Sequence, residues 1–234
     1  MDELLALSAF LLADGCLTST EKGNYMMVFY NRSKALLSTF ADAATRLGSK
    51  PHVLQDRVVI YDNKLARSLL ELTPSYRTKP CDSRPKCPRS RGLSHGPCAR
   101  CTPLVIGNMR WPPTKIPEPV FTDPGITRSY LRILFSCDGG VELRHRRASG
   151  RLILERRISI TSAHPLVRAQ IVKLLSSLGI SARVEGPHVL IYRKRSLRIF
   201  ADEIGFLPGA LVVRGKHWRG YEKARVLELL TMGL

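Results

Sequence analysis

Residues 44–61 read ATRLGSKPHVLQDRVVIY, and residues 175–192 read LSSLGISARVEGPHVLIY. Each stretch carries a Leu-Gly pair, Leu47-Gly48 and Leu178-Gly179, and each closes on a tyrosine 13 residues beyond the glycine, Tyr61 and Tyr192. A shared spacing of this kind marks two copies of one structural unit. The likeness extends outward from both stretches. Residues 33–47 and 164–178 have apolar positions at helical spacing, and 64–72 and 195–204 read as a second helix in each copy. Further on, LVIGNMRW (104–111) resembles LVVRGKHW (211–218), with a tryptophan at the same offset. The copies are therefore assigned to 1–115 and 127–234, joined by a proline-rich linker at 116–126 that holds Pro117, Pro119 and Pro124. A cysteine-bearing insertion at about 76–103 and a longer hairpin near 144–157 break the symmetry.

Each copy opens on an apolar helix, LLALSAFLLA (4–13) and YLRILFSC (130–137), followed by Asp14-Gly15 and Asp138-Gly139. Strand-like runs come next. In 157–161, Arg157, Ser159 and Thr161 alternate with isoleucine, which predicts one buried and one open sheet face. The order α-β-β-α-β-β-α in each half gives an α+β fold of two pseudo-symmetric halves. Each half is an antiparallel sheet with one face backed by helices and one face open, and the halves are joined at their two packed opening helices.

An aspartate at a helix C-terminus is electrostatically unfavourable, and the glycine after it reads as a left-handed cap. One Asp-Gly pair is an ordinary turn. Two pairs, each closing the apolar helix of its repeat, predict that both carboxylates meet at one end of the helix pair. Neighbouring carboxylates facing phosphate suit a divalent metal that neutralises them.

The chain of 234 residues carries 37 Lys and Arg against 19 Asp and Glu, a net charge of +18. That excess points to a polyanion, of which nucleic acid is the commonest. The apolar content of 44% supports a core and argues against a basic disordered tail. Residues 4–13 are too few to span a bilayer and follow Asp2 and Glu3, unlike a signal peptide, so an intracellular protein with no membrane partner is expected.

LSAFLLADG (7–15) and LRILFSCDG (131–139) resemble two copies of the LAGLIDADG motif, and the duplicated element order is similar to that of the monomeric, two-motif homing endonucleases. The first copy keeps small Ala9 and Ala13; the second departs with Arg132, Ile133 and Cys137. The resemblance implies a site-specific, intron-encoded DNA endonuclease, found in the cytoplasm or nucleoid of a prokaryote or in an organelle. Asp14 and Asp138 would hold Mg²⁺ with help from the backbone of Gly15 and Gly139, and the paired sheets would form a saddle lying in the major groove of double-stranded DNA. Each strand of a long asymmetric target would be cut once, leaving short 3′ overhangs. A basic residue near the metals often assists in this family, and the internal alignment places Lys216 there, with Met109 as its counterpart. The rival expectation is a non-cleaving nucleic-acid-binding protein or RNA intron maturase on the same fold.

Arg144, Arg146, Arg147 and Arg151 cluster in the longer hairpin, and arginine is the commonest guanine reader. Arg157, Ser159, Thr161, Arg183, His188 and Arg193 are the other expected DNA contacts of the second half; Thr18, Thr20, Lys22 and Asn24 are those of the first. Cys81, Cys87, Cys98 and Cys101 form C-x5-C-x10-C-x2-C in a segment too poor in apolar residues to order itself. Two stapling chemistries fit: structural Zn²⁺, with His95 able to replace a thiolate, or two disulfides. Cys16 and Cys137 are not repeat-equivalent and read as packing residues.

Overall fold

The computed structural model describes residues 2–20, 23–81, 102–148, 150–213 and 217–234, with only the backbone of Arg146 and Ala148. In the first half the order is α1 (Glu3–Asp14), β1 (Gly15–Ser19), β2 (Tyr25–Tyr30), α2 (Lys34–Arg46), β3 (His52–Val53), β4 (Arg57–Ile60) and α3 (Asn63–Leu72). A small hairpin follows, β5 (Leu104–Ile106) with β6 (Met109–Trp111). The second half repeats the order with α4 (Pro124–Asp138), β7 (Gly139–Ala148), β8 (Arg151–Thr161), α5 (Pro165–Ser177), β9 (Arg183–Glu185), β10 (His188–Ile191) and α6 (Lys194–Ile199). A π turn, Phe200–Ile204, continues α6, and α7 (Lys223–Thr231) closes the chain.

The two antiparallel sheets have the same strand order, β1-β2-β4-β3 and β7-β8-β10-β9. Their core faces follow from alternation. Leu17, Met27, Phe29, Val58 and Ile60 are buried in one sheet, and Val141, Ile158, Ile160 and Val189 in the other. Phe10 of α1, Phe29 and Phe40 form an edge-on aromatic cluster beneath the first sheet. Gly48 and Gly179 adopt left-handed φ of 84° and 74° at the ends of α2 and α5. The repeated Leu-Gly pair is thus a repeated helix stop.

Helices α1 and α4 pack side by side, with Leu7, Ala9, Phe10 and Leu11 of one and Leu131, Leu134 and Phe135 of the other buried. The Ser8 and Tyr130 hydroxyls meet across that interface at 3.4 Å. A helix that is apolar all round can sit only in such a place. Among the described residues, no helix is long and apolar enough to cross a membrane.

Two boundaries differ from the sequence reading. Tyr76 belongs to the core, donating its hydroxyl to the Leu69 carbonyl at 3.0 Å, so the insertion starts beyond it. Helix α4 begins at Pro124, inside the expected linker, because Asp123 caps the Gly125 and Ile126 amides at 2.6 and 3.0 Å. The rest of the linker is docked rather than solvated: Ile116 and Val120 are buried, and the Ile116 amide donates to Gln170 Oε1 of α5 at 2.9 Å. The two tryptophan segments also part company. Trp111 ends the β5–β6 hairpin and packs edge-on against His164 of the second half, while Trp218 donates its indole N–H to the Leu143 carbonyl of its own half.

His164 is fully buried, with Nε2 2.9 Å from the Pro112 carbonyl oxygen. That oxygen accepts, so the proton sits on Nε2, and Nδ1 has no partner among the described residues. Burial holds its pKa below the ordinary histidine value, chiefly by desolvating the charged ring. The unfolded chain therefore takes up a proton before the folded one. Stability is complete above the unfolded pKa of about 6.5 and is lost as pH falls below it. The melting temperature should drop between about pH 7 and pH 5, and His164→Gln should flatten that slope. An unchanged slope in the variant would contradict this assignment.

Candidate active site

Asp14 is the last residue of α1 and Asp138 the last of α4, and in each case the following glycine opens a strand. The glycines do not form left-handed caps. Gly15 has φ −119° and Gly139 φ −82°, ordinary values for any residue. Space is what selects glycine. A Cβ on Gly15 would lie 2.6 Å from Leu11 Cα, and one on Gly139 would lie 2.3 Å from the Phe135 carbonyl oxygen. The chain leaves each helix so abruptly that only hydrogen fits. Gly139→Ala should therefore cost about 1–3 kcal/mol, read by denaturant unfolding, since the helix end carrying Asp138 must shift. A neutral result would mean that the close approach is not what fixes this turn.

The two carboxylates converge. Both act electrostatically on the Cys137 thiol and on the Lys223 ammonium. Asp14 Oδ2 accepts a hydrogen bond from Asn31 Nδ2 at 2.9 Å, and Asn31 Oδ1 accepts from the Ser33 amide at 2.9 Å, so the start of α2 fixes that amide. Cys137 is held as a neutral thiol: burial pushes its pKa well up, and the charges of Asp14 and Asp138 push it further.

Lys223, the first residue of α7, is buried at 3% exposure. Its ammonium donates to the carbonyls of Phe135, Ser136 and Cys137 at 3.3, 2.7 and 3.4 Å. These belong to the last turn of α4, where the Gly139 amide reaches only the Phe135 carbonyl, so the cation caps the helix that presents Asp138. It also lies 5.8 Å over the Phe206 ring. Burial brings its pKa down to about 8, opposed by the neighbouring Cys137, Asp14 and Asp138. Sequence reading missed this residue because α7 has no counterpart in the first half. Lys216 lies outside the described residues, and Met109 is exposed at the β5–β6 turn.

One hard carboxylate from each half, meeting at the helix ends, is a donor set that fits a hard, oxygen-loving cation completing its shell with phosphate oxygens and water. Among the described residues no group of three or more His, Cys, Asp or Glu forms a closed metal site.

The expected DNA contacts separate by face. In the second sheet the register puts Glu142 with Arg157, Arg144 with Glu155 and Ser159 with Leu190 on the open side, together with Thr161, His188 and Arg183. The Thr161 hydroxyl and His188 Nδ1 lie 2.9 Å apart, and Arg183 pairs with Glu185 at 3.4 Å. Arg147 faces the opposite side with Leu152 and Leu154, and Arg193 is the exposed residue preceding α6. Arg144 sits within the strand rather than at the hairpin tip, which falls between Ala148 and Arg151. The side chain of Arg146 is outside the described atoms.

In the first sheet Thr18 is on the open face, opposite Met26. Thr20 and Asn24 close the β1–β2 hairpin through a 2.7 Å backbone bond, and Asn24 Oδ1 accepts from Asn63 of α3, so it is tied to the protein. Lys22 lies outside the described residues, as do Cys87, Cys98 and Cys101. Cys81 is half-buried, and its amide donates to the Arg110 carbonyl of β6 at 2.8 Å. The insertion therefore leaves from and returns to the β5–β6 hairpin.

Residues 126–205 match the LAGLIDADG-like domain family, a match running from α4 through α6. Comparison with curated proteins gives no significant match. Solved structures do match the whole chain. The chain is similar over 98% of its length to the LAGLIDADG meganuclease I-AabMI bound to uncleaved DNA, with 12% identity, TM-score 0.54 and 89% of that chain covered. For I-DmoI in complex with DNA and Mn, the figures are 86% of this chain, 97% of that one, 14% identity and TM-score 0.51. Full-length DUF199/WhiA from Thermatoga maritima also matches, with 14% identity and TM-score 0.52 over 90% of this chain and 58% of that one. The chain therefore has the fold of the LAGLIDADG meganucleases, and its residues 126–205 are a LAGLIDADG-like domain.

Proposed function

We propose that the chain is a site-specific, intron-encoded homing endonuclease that hydrolyses one phosphodiester on each strand of a long, asymmetric DNA duplex. The observation that carries this reading is the convergence of Asp14 and Asp138, one from each half, on the Lys223 cation at the ends of packed helices. The meganucleases of the same fold bound to DNA, one of them with Mn, lend it support.

In this reading Asp14 and Asp138 hold Mg²⁺, with the Gly15 and Gly139 backbone beside them. When bound, the ion supplies a more acidic water and neutralises charge on the phosphate. The chain's own residues do the rest. Asn31 fixes the orientation of the Asp14 carboxylate by donating to its Oδ2. Lys223 holds the end of α4 and balances two neighbouring negative charges. Cys137, half-buried and held as a neutral thiol, adds no third charge beside them. Lys216 is assigned to the scissile phosphate, and the two open sheet faces to the groove on either side. Because both halves are in one chain, a monomer suffices. The cysteine segment is assigned to a zinc-stapled module anchored on the β5–β6 hairpin. Metal analysis of the purified chain should find zinc removable by a chelator; no zinc, with a mass gain on reduction, would mean disulfides instead.

The test of the main reading is selection from a randomised duplex library, capturing ends cut with Mg²⁺. One asymmetric site with short 3′ overhangs supports it; only palindromic sites, with a dimer in solution, would sink the single-chain asymmetric reading. The likeness to DUF199/WhiA, a protein not described as a nuclease, favours one rival: a nucleic-acid-binding protein, or RNA maturase, that keeps the fold without cutting. That rival predicts enrichment by binding with no cut ends.

A further inference from the structure

The open face of the second sheet carries a feature that the arginine pattern alone does not suggest. Glu142 and Arg157 are cross-strand neighbours, as are Arg144 and Glu155, so the four charges form a checkerboard across β7 and β8. Arg157 Nη2 lies 2.7 Å from Glu142 Oε2 and Arg144 Nε 2.8 Å from Glu155 Oε2. Contacts along each strand close the square, Arg157 to Glu155 within β8 at 3.7 Å and Arg144 to Glu142 within β7 at 3.9 Å. The four side chains are between 21% and 46% exposed, so a groove can reach all of them.

Glu142 and Glu155, with Glu185 beside Arg183 on the same face, oppose general affinity for a polyanion in a chain of net charge +18. They are useful only where they meet a donor. On the major-groove edge of a G·C pair, the guanine O6 and N7 acceptors lie beside the cytosine N4 donor. An arginine flanked by a carboxylate is complementary to that edge. The ion pairs also hold each guanidinium in place before binding, which reduces the entropy lost on contact. Against other pairs, an arginine or a carboxylate is left desolvated without its partner, so the network rejects as well as selects. The first sheet differs: Cys16, Thr18 and Met26 on the corresponding face of β1 and β2 carry no charge, and Val28 beside them is buried.

We propose that the Glu142–Arg157–Glu155–Arg144 network is the base-reading element of the second half, directing it to a G·C-rich half-site, with Glu142 and Glu155 as specificity-determining residues. The proposal rests on the reading that the open sheet faces lie in the major groove of DNA.

The test is a binding selection with the full chain in Ca²⁺ from a randomised duplex, for wild type, Glu142→Gln and Glu155→Gln. Thermal melting confirms that the isosteric variants fold. The wild type should enrich sites with a G·C run on one side of the centre only. Each Gln variant should lose preference at one or two positions within that run and bind unrelated duplex about three- to tenfold more tightly, having shed a negative charge. Equal G·C content on both sides, or unchanged base preferences in both variants, would overturn the proposal while leaving DNA binding intact. Failure of the wild type to enrich any duplex would overturn the groove reading, and this proposal with it.

Discussion

Asp14→Asn and Asp138→Asn should each abolish cutting of both strands while leaving DNA binding in place. The substitution keeps the shape of the side chain and removes its charge. Asn31 Nδ2 can still face the Oδ of residue 14, so α1 keeps its end. What is lost is half of the donor set for the divalent ion. A Lewis-acidic ion contributes several kcal/mol to phosphodiester hydrolysis, and about 4 kcal/mol corresponds to a factor of about 10³ in rate. Because one carboxylate from each half meets at a single place, either substitution should slow both strands. Binding in Ca²⁺ should stay within about threefold or tighten slightly, since a negative charge near phosphate is removed. A variant that nicks one strand at full rate would mean that the acids serve separate centres.

Lys223→Met should act on both stability and cleavage. The ammonium is the donor to three carbonyls of the last turn of α4. Methionine leaves the Ser136 and Cys137 carbonyls without that donor, while Phe135 keeps the Gly139 amide, a cost of roughly 1–3 kcal/mol for an unsatisfied group. It also removes the cation that balances Asp14 and Asp138, so the two carboxylates repel and the end of α4 relaxes. A displacement of about 1 Å at a reacting centre can cost about 10²-fold in rate. The expected result is a lower unfolding midpoint, a fall of about 10² in single-turnover cleavage and unchanged affinity for the duplex in Ca²⁺. If stability falls and cleavage by the folded fraction does not, Lys223 is only a helix cap.

The repeat was legible because it rests on strong local constraints. Gly48 and Gly179 are needed for a left-handed stop. The alternation in 157–161 fixes which face of β8 is buried, and the register bears it out. The convergence of Asp14 and Asp138 followed from two strongly apolar opening helices packed on each other, with Arg128 and Arg132 of α4 turned to Glu203 and the Ile204 carbonyl. The reason for the glycines beside them was misjudged, since a helix–strand junction without room for a Cβ leaves the same letter in the sequence as a left-handed cap. Lys223 and Asn31 were not legible at all. A lysine opening a terminal helix reads as solvated, and its burial depends on Phe206 and the end of α4, far away in sequence. Glu142 and Glu155 were hidden by the arginines around them, because cross-strand pairing is set by register and not by spacing along the chain.

The most direct test of the account is to footprint the Ca²⁺ complex on the selected duplex and to map the Mg²⁺ cut positions on the same DNA. The account predicts one cut per strand, both at the centre of the protected stretch, where Asp14 and Asp138 meet between the two sheets. Tight, centred protection with no cut in any divalent ion would contradict it, and would make the chain a binding protein on a nuclease fold.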